Sequence, residues 1–486
     1  MKPNVVLMMV DQMRGDCLSI LDHPAVDTPN IDQLARDGVL YENAYSAAPS
    51  CVAARAAVLT GMSQDKNGRV GYEDKVPWNY EHTLPGEFAK AGYHTQCVGK
   101  LHVYPTRNLV GFHNVVLHDG YMHYNRFNHT TKTSESFAAT DDYLNWLREK
   151  AGAGSDLTDL GLDCNASTVA RPWHLAEELH PTNWVTTKSI DFLRRRDPTK
   201  PFFLNMSYVR PHPPFDPPEA FYNMYINEDL PEPSVGDWAE QEDTDRMGLN
   251  PVTAKGIVPK KRYKRAQAAY YALITHIDNQ IGRFLQALQE YGVYDNTIIL
   301  FASDHGELLG DHHLYRKILP YEGSAKVPLI VSDPGDNLKL EKNKKINNVV
   351  ELRDIMPTLL AAADIPIPGT VNGKSVLELW KDGATANWRE YIHGEHAYGE
   401  SSFHYITDGK EKYIWFSQTG REQFFDLEKD PQELVNQAGN PDYQARVQQR
   451  RNQLIGELEG REEGYSDGAR LVVGQTPKST LNHLRG

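Results

Sequence analysis

The sequence contains few cysteines and no long apolar run. Its four cysteines, Cys17, Cys51, Cys97 and Cys164, are scattered through 486 residues, so neither a disulfide scaffold nor a zinc cage is indicated. The apolar runs, such as VVLMMV at residues 5–10, are much shorter than the roughly 20 residues that a membrane-spanning helix needs. We therefore expect no membrane partner, and we expect any cysteine with a special role to act alone.

Positive charge is also in deficit. Lys and Arg number 51 against 65 Asp and Glu, which gives a net charge of −14. A surface of this sign repels nucleic-acid backbones and anionic lipid, so a nucleic acid is not expected as a partner. If the substrate is an anion, a local cluster of Lys, Arg, His or metal has to overcome the overall field.

The first residues, MKPNVVLMMVDQ, lack the basic, apolar and cleavage regions of an export signal in sequence. As written, the sequence predicts a cytoplasmic protein. A periplasmic or secreted protein whose leader had been removed would have the same sequence, and the two interpretations stay open.

Apolar residues, at 40% of the chain, are sufficient for a large core, and their pattern alternates between strands and helices. Strands are predicted at residues 5–10, 93–98, 202–208 and 297–302. Helices are predicted from Pro29 to a terminating Gly38, at residues 85–90 before Gly92, at 262–291 and at 352–363. This order predicts an α/β fold with a large, mixed, mostly parallel sheet flanked by helices.

From about residue 381 the pattern changes to short strands and turns, followed by a charged helix at residues 441–458. We expect a catalytic α/β domain at residues 1–380 and a smaller C-terminal α+β subdomain at 381–486 that contributes to the substrate pocket. Residues 112–183 and 211–261 have weak periodicity, and we expect irregular insertions there that form walls of a site.

Polar side chains follow two of the predicted buried strands. Asp11 and Gln12 end the first strand, and Asp304 and His305 end the strand at residues 297–302. Ligands of open α/β sheets gather at the carboxyl ends of the strands. Oxygen and imidazole donors from two neighbouring strand ends would form a divalent-cation site.

Cys51 precedes an Ala-rich helical run that ends at Gly61, and Arg55 lies one turn further on. A cysteine at a helix N-terminus has a lowered pKa and lies beside unpaired N–H groups that favour an anion. Taken alone, the pattern favours a small buried residue beside a structural arginine.

Cys51, Ala53 and Arg55 form the pattern C-x-A-x-R, which resembles the signature of the type I sulfatases, a family of the alkaline phosphatase-like superfamily. Four further segments are similar to motifs of that family in the same order: Asp11-Gln12, GKLH at 99–102, RPHPPF at 210–215 and DHGELLGDHHLYRK at 304–317. The FFDLEKDPQE segment near the C-terminus resembles the usual end of the family's sequences.

The resemblance implies that a maturation enzyme converts Cys51 to formylglycine (3-oxoalanine). One hydroxyl of the hydrated aldehyde would attack sulfur, and the other would later expel sulfate, which a serine could not do. The metal ligands implied are Asp11, Gln12, Asp304, His305 and the modified Cys51. Arg55 would orient the modified residue, Lys100 and Lys317 would bind the sulfate oxygens, and His102 would assist residue 51. His212 would protonate the departing alcohol or hold its bridging oxygen.

The resemblance makes Ca²⁺ the expected cation, with Mn²⁺, Mg²⁺ and Zn²⁺ as alternatives because an imidazole ligand suits manganese or zinc better. Gln12 occupies a position where most members of the family have Asp, and His305 occupies one where many have Asn. The same two residues occur in phosphonate monoester hydrolases, so a phosphonate monoester or phosphodiester hydrolase is the alternative. A non-catalytic protein that binds sulfated glycans, with unmodified Cys51, is a second alternative.

The substrate expected from the resemblance is the sulfate ester of a carbohydrate, together with small aryl sulfates. Aromatic and histidine side chains suited to a sugar ring are found at Tyr121, His123, Tyr124, His396, Tyr398 and His404. Lys100 and His102 in the GKLH segment favour the sulfatase over the phosphonate hydrolase.

Overall fold

The structure is a computed structural model that describes residues 2–119, 140–239, 250–382 and 387–485. Tyr121, His123 and Tyr124 lie outside the described residues. Within the described residues, no helix combines the length and the hydropathy that crossing a membrane requires.

The described strands form one large sheet, one small sheet and one two-stranded pair. They are β1 Asn4–Asp11, β2 Gly38–Tyr41, β3 Ala44–Tyr45, β4 His94–Gly99, β5 Asn114–Leu117, β6 Phe202–Pro211, β7 Thr297–Ser303, β8 Leu329–Ser332, β9 Lys344–Ile346, β10 Val350–Glu351, β11 Ile392–His396, β12 Phe403–Thr407, β13 Glu411–Phe416 and β14 Glu422–Asp426.

The described α-helices lie on both faces of the large sheet and beside the small one. They are α1 Pro29–Arg36, α2 Cys51–Thr60, α3 Gln64–Asn67, α4 Leu84–Lys90, α5 Asp142–Ala151, α6 Pro181–Arg195, α7 Glu219–Tyr225, α8 Lys260–Glu290, α9 Glu322–Ala325, α10 Ile355–Ala362, α11 Leu377–Asp382 and α12 Gln444–Leu458.

The large sheet has eight strands in the order β5-β4-β6-β1-β7-β8-β2-β9. Strand β1 lies between β6 and β7 and is parallel to both, with Val5 opposite Phe203 and Ile298. Only β8 runs antiparallel to its neighbours β7 and β2. The predicted mixed, mostly parallel sheet is therefore confirmed.

Strand β1 is buried on both faces, and its side chains alternate between two cores. Val6 belongs to the core that includes α8, whereas Leu7 belongs to the core that includes α2 and α10. Because both faces of the sheet are covered, ligands have access mainly at the strand ends.

The C-terminal sheet is antiparallel, with the strand order β11-β12-β13-β14. Helix α12 covers one face, where Trp415 and Leu454 share a core. The other face packs on the large domain through Tyr405 and Tyr321. This confirms the predicted C-terminal α+β unit.

The predicted helices occur within a few residues of their expected bounds, but Gly38 was assigned wrongly. Helix α1 ends at Arg36 with Asp37 as its cap, and Gly38 instead begins β2. A Cβ atom at Gly38 would lie 1.9 Å from the Val331 carbonyl oxygen, so the glycine permits close strand pairing. Gly61 and Gly92 do adopt positive φ, at 65° and 88°, after their helices.

The segment 112–183 was predicted to be irregular and is partly regular. Strand β5 extends the large sheet, and α5 begins at Asp142 because the Asp141 carboxylate caps it by accepting a hydrogen bond from Leu144 N. Each of these two elements is short, so each gave too weak a periodicity for the sequence prediction.

Candidate active site

Two neighbouring strand ends bring two carboxylates together. Strands β1 and β7 are parallel and in register, with Val10 opposite Ser303. Asp11 and Asp304 therefore emerge side by side, and both are completely buried. Gln12, next to Asp11, has a φ of 72° and donates its backbone N–H to Asp304 Oδ1 at 3.2 Å.

Helix α2 adds a sulfur atom to this pair of carboxylates. Cys51 is its first residue, and its Sγ atom lies 3.2 Å from His305 Nε2 and 3.8 Å from Asp11 Oδ1. Donor atoms of Asp11, Cys51, Asp304 and His305 all lie within 4.8 Å of one another. We call these four residues the acidic cluster.

The charges of the acidic cluster fit a divalent cation. Burial and the neighbouring Asp11 carboxylate raise the pKa of Asp304 above its ordinary value. Burial lowers the pKa of His305, but Asp304 and the Cys51 thiolate outweigh it and raise this pKa. His305 Nδ1 lies 3.1 Å from the Gly306 carbonyl oxygen, so Nε2 is the ring nitrogen that faces the cluster. Carboxylate and imidazole donors in this arrangement suit a bound metal ion.

Arg55, one turn after Cys51, connects α2 to the strand ends through hydrogen bonds. Its Nε donates to Asp304 Oδ2 at 3.0 Å, and its Nη1 donates to the Lys100 carbonyl oxygen at 2.8 Å and to Ser207 Oγ at 3.0 Å. The remaining Nη2 is buried and has no hydrogen-bond partner among the described residues. A buried guanidinium N–H group without a partner lowers the stability of the fold, because its lost hydrogen bonds to water are not replaced. A ligand oxygen that accepts from Nη2 would remove this cost.

Two lysines supply the local positive charge that the acidic sequence lacks. Lys100 is completely buried and forms an ion pair with Asp11. Lys317 Nζ donates to Gln12 Oε1 at 2.6 Å. Burial raises the pKa of Cys51, but the charges of Lys100 and Lys317 outweigh burial and hold that pKa well below its ordinary value. The electrostatic field at residue 51 therefore favours an anion.

His212 lies beside Lys317 in the loop after β6. Its backbone N–H donates to the Asp11 carbonyl oxygen at 3.0 Å, and its ring Nδ1 lies 2.8 Å from the Pro213 carbonyl oxygen. Its Nε2 lies 2.7 Å from Lys317 Nζ. Burial and the Lys317 charge hold the pKa of His212 well below its ordinary value. The ring is thus neutral near pH 7 and accepts a hydrogen bond from Lys317.

His102 also contacts residue 51. It is 3% exposed, its φ is 60°, and its backbone N–H donates to Asp119 Oδ2 at 2.7 Å. Burial lowers its pKa, but hydrogen bonds with Asp74 and Cys51 raise the pKa above the ordinary value. Tyr72 packs edge-on against the ring at 6.0 Å.

All ten residues predicted from the sequence meet in one network of direct contacts around Cys51: Asp11, Gln12, Cys51, Arg55, Lys100, His102, His212, Asp304, His305 and Lys317. The sequence prediction missed Glu307, Ser207 and Asp74, which contact these residues. Only Glu307 had a sequence signal, since it lies within the DHGE segment that follows β7.

The C-terminal segment HGEH at residues 393–396, together with His404 on the neighbouring strand, divides into two parts. His393 and His404 contact each other at 3.2 Å, and both oxygens of Glu395 are held by Arg461, so neighbouring side chains satisfy these three residues. His396 Nε2, in contrast, lies 2.8 Å from Ser50 Oγ, directly before Cys51. Tyr398 is 45% exposed.

Comparison with known proteins agrees with this geometry. Residues 3–365 match the sulfatase family, and residues 310–460 match the C-terminal family of N-sulphoglucosamine sulphohydrolase. An arylsulfatase of Clostridium perfringens is 59% identical over 485 residues, which cover 100% of both chains. The multifunctional alkaline phosphatase superfamily protein PehA of Trinickia caryophylli is 29% identical, over 92% of this chain and 93% of its own.

Among solved structures, the phosphonate monoester hydrolase of Agrobacterium radiobacter superimposes with a TM-score of 0.73 and 25% identity, over 94% of this chain and 95% of its own. The fold is therefore alkaline phosphatase-like, as expected. The family match covers most of the chain, and the arylsulfatase match covers all of it. The chain belongs to the sulfatase family and is an enzyme that hydrolyses sulfate esters.

Proposed function

We propose that the chain hydrolyses sulfate monoesters at residue 51 after Cys51 has been converted to formylglycine by a maturation enzyme. The observation that carries this proposal is the position of Cys51 at the start of α2, within the acidic cluster and in the field of the two lysines. On hydration, formylglycine supplies two hydroxyl groups, one for attack and one for release of sulfate.

We propose that one divalent cation is held by Asp11, Gln12, Asp304 and His305 together with residue 51. Ca²⁺ is the first candidate because most of these donors are oxygens, and Mg²⁺ is an alternative for the same reason. Mn²⁺ and Zn²⁺ are alternatives because of the imidazole of His305. Bound there, the cation would supply positive charge next to the reacting group.

The protein's own side chains would hold residue 51 and the sulfate. The unpaired Arg55 Nη2 is a donor for an oxygen on residue 51, and the N-terminal dipole of α2 favours negative charge there. His102 would accept a proton from residue 51. Lys100 and Lys317 would donate to sulfate oxygens as charge develops on them.

The departing alcohol needs a proton, and the Lys317–His212 pair would supply it. The family resemblance gives His212 this role or that of holding the bridging oxygen, but a neutral His212 that accepts from Lys317 has no proton of its own on Nε2. Burial lowers the pKa of Lys317 below its ordinary value, which makes its ammonium a better acid. Lys317 would therefore donate, either directly or through His212.

We propose that residues 381–486 form one wall of the substrate pocket beside the catalytic domain of residues 1–380. Glu395 N donates to the Ala47 carbonyl oxygen at 2.8 Å, and His396 contacts Ser50. Strand β11 therefore lies along the loop that leads to Cys51. We expect small aryl sulfates as substrates, as the name of the 59% identical relative suggests, and a carbohydrate sulfate ester as the natural class.

Phosphonate monoester or phosphodiester hydrolysis is the second candidate. It is favoured by Gln12 and His305 and by the likeness to the phosphonate monoester hydrolase of Agrobacterium radiobacter. A non-catalytic glycan-binding protein would keep Cys51 as a thiol and release no sulfate.

The experiment combines mass spectrometry of the peptide that contains residue 51 with an aryl sulfate assay on the same preparation, with and without co-expression of a formylglycine-generating enzyme. We expect turnover to increase with conversion and to vanish in Cys51→Ala. The matched control Cys164→Ala, at a partly buried cysteine in another part of the chain, should keep full activity. Undiminished turnover by Cys51→Ala would refute the proposal, and full conversion without any turnover would support the binding protein.

A further inference from the structure

Glu307 is a fully buried carboxylate that none of the proposed steps uses. Its Oε1 accepts hydrogen bonds from two backbone N–H groups, those of Leu309 at 2.9 Å and of Arg316. Its Oε2 accepts a hydrogen bond from Gln12 Nε2 at 2.5 Å. Within the part of the chain that the structure describes, no Lys or Arg side chain forms an ion pair with this carboxylate.

The backbone of Gln12 is fixed on both sides of its side chain. Its N–H donates to Asp304 Oδ1, and its carbonyl oxygen accepts from the Tyr270 hydroxyl at 2.7 Å. The amide of the side chain can still adopt two orientations that differ by a flip, because its oxygen and its NH₂ group have nearly the same shape. Only an oxygen can serve as a ligand to a hard cation.

The neighbours of Gln12 decide between these two orientations. Lys317 Nζ can only donate, and it lies 2.6 Å from Gln12 Oε1. The Glu307 carboxylate can only accept, and it faces Gln12 Nε2. Lys317 also contacts His212 and is proposed to bind the sulfate, so its bond to Gln12 changes during turnover. Glu307, which is fully buried, has no such competing duty.

We propose that Glu307 is a positioning residue that fixes the Gln12 amide with its oxygen outward, so that residue 12 offers an oxygen to the cation. This inference rests on the proposed function, because it presupposes a cation at the acidic cluster. The Gln12 amide thus lies between the negatively charged Glu307 carboxylate and the cation. The hydrogen bond to Glu307 polarises this amide and keeps its oxygen turned towards the cation.

The substitution Glu307→Gln should reverse this orientation. Two backbone N–H groups hold the introduced amide oxygen at the Oε1 position, so its NH₂ group must face Gln12 Nε2. Two donors then oppose each other, and a flip of the Gln12 amide relieves this contact only by setting its NH₂ group against the Lys317 ammonium. Its NH₂ group would point towards Lys317 and the cation, and we expect cation affinity to fall by about 10- to 100-fold.

The double variant Gln12→Glu with Glu307→Gln exchanges the two groups and provides the decisive comparison. The introduced amide donates to the introduced carboxylate, whose second oxygen again faces Lys317. We expect the cation affinity of the double variant to return to within about threefold of the wild type. A difference of this size is smaller than the roughly 10- to 100-fold loss that follows when a residue that orients a metal ligand is missing.

Because the introduced carboxylate would itself strengthen cation binding, the single variant Gln12→Glu is measured beside the double variant. In the single variant the new carboxylate faces that of Glu307, so we expect it to bind the cation more weakly than the double variant does. A merely structural role for Glu307 would leave the two variants with equal affinity.

The measurement is the dissociation constant for Ca²⁺ and for Mn²⁺, by calorimetry on the full chain stripped with a chelator, with a thermal melt of each variant as the check on folding. Glu433→Gln, at another buried carboxylate far along the chain, is the matched control and should leave both constants unchanged. Unchanged affinity in Glu307→Gln, or no recovery in the double variant, would overturn this inference alone. A wild type that binds neither cation would overturn the proposed metal site as well.

Discussion

Replacement of Lys317 by methionine removes one ammonium group from the site while keeping much of the volume of the side chain. The wild-type Nζ atom contacts Gln12 Oε1 at 2.6 Å and His212 Nε2 at 2.7 Å, and it is proposed to donate to the sulfate and to the departing oxygen. Lys317 is only partly buried, so we expect Lys317→Met to fold.

The size of the loss follows from the two roles. Removal of one donor to a developing negative charge costs about 2.7–4 kcal/mol, which is about 10²- to 10³-fold in kcat. Loss of the leaving-group proton adds a further factor, since general acid catalysis contributes about 10²- to 10⁴-fold. This second factor applies only to poor leaving groups, because an acidic phenol departs without protonation.

The assay is therefore a series of aryl sulfates whose phenols span a wide range of acidity. We expect Lys317→Met to lose about 10²- to 10³-fold with 4-nitrophenyl sulfate and clearly more with phenyl sulfate. Lys326→Met, at a half-buried lysine that contacts Asn43, is the matched control and should retain activity.

The pH profile gives a second readout. After burial, the Lys317 charge is the largest cause that holds the pKa of His212 below 6.5. Without that charge the pKa rises, so His212 should gain a proton at acidic pH and partly restore cleavage of phenyl sulfate as the pH falls. An equal loss across the whole series, with no gain at acidic pH, would refute the proton-donor role of the pair.

Two further predictions concern stability. Arg210 forms a fully buried, bidentate ion pair with Asp216 at 2.6 Å beside the His212 loop. Arg210→Met leaves the Asp216 carboxylate buried without this partner, so it should lower the free energy of unfolding by about 3–5 kcal/mol. A loss below about 1 kcal/mol in denaturant titrations would contradict this prediction. His312, His393 and His396 each have a pKa lowered from 6.5 to about 4 by burial. As the pH falls, these histidines are therefore protonated in the unfolded chain before they are protonated in the folded one. Their contribution to the free energy of unfolding should be fully present above pH 6.5 and should decline as the pH falls towards 4. Melting temperatures that stay constant over this interval would contradict the second prediction, and His393→Asn should make the decline shallower.

The central strands and the site residues that follow them were predictable from the sequence. Strands β1 and β7 are continuous apolar runs, and Asp11 and Asp304 follow from the rule that strand ends carry ligands. Cys51 and Arg55 were identified through the resemblance of the C-x-A-x-R pattern to the sulfatase signature, because their position at a helix start and their helical spacing alone favoured a structural role. These signals are local, so a single sequence contains them.

The remaining features depend on tertiary contacts that a local pattern does not encode. Gly38 looked like a helix terminator, but it is needed because the Val331 carbonyl oxygen approaches it closely. Ser207 contacts Arg55 across 152 positions of sequence, and Glu307 contacts Gln12 across 295. The proton route from Lys317 to His212 likewise required the distance between two loops that lie 105 residues apart.

The central claim is that converted residue 51 acts on sulfate esters in preference to phosphonate esters. The most direct test is kcat/KM for a matched aryl sulfate and aryl phosphonate monoester, measured on preparations whose formylglycine content at residue 51 is graded and quantified by mass spectrometry. We expect the sulfate to be the faster substrate and its rate to be proportional to formylglycine content. A faster phosphonate would place the activity with the phosphonate monoester hydrolases, and a sulfatase rate independent of formylglycine content would contradict the account.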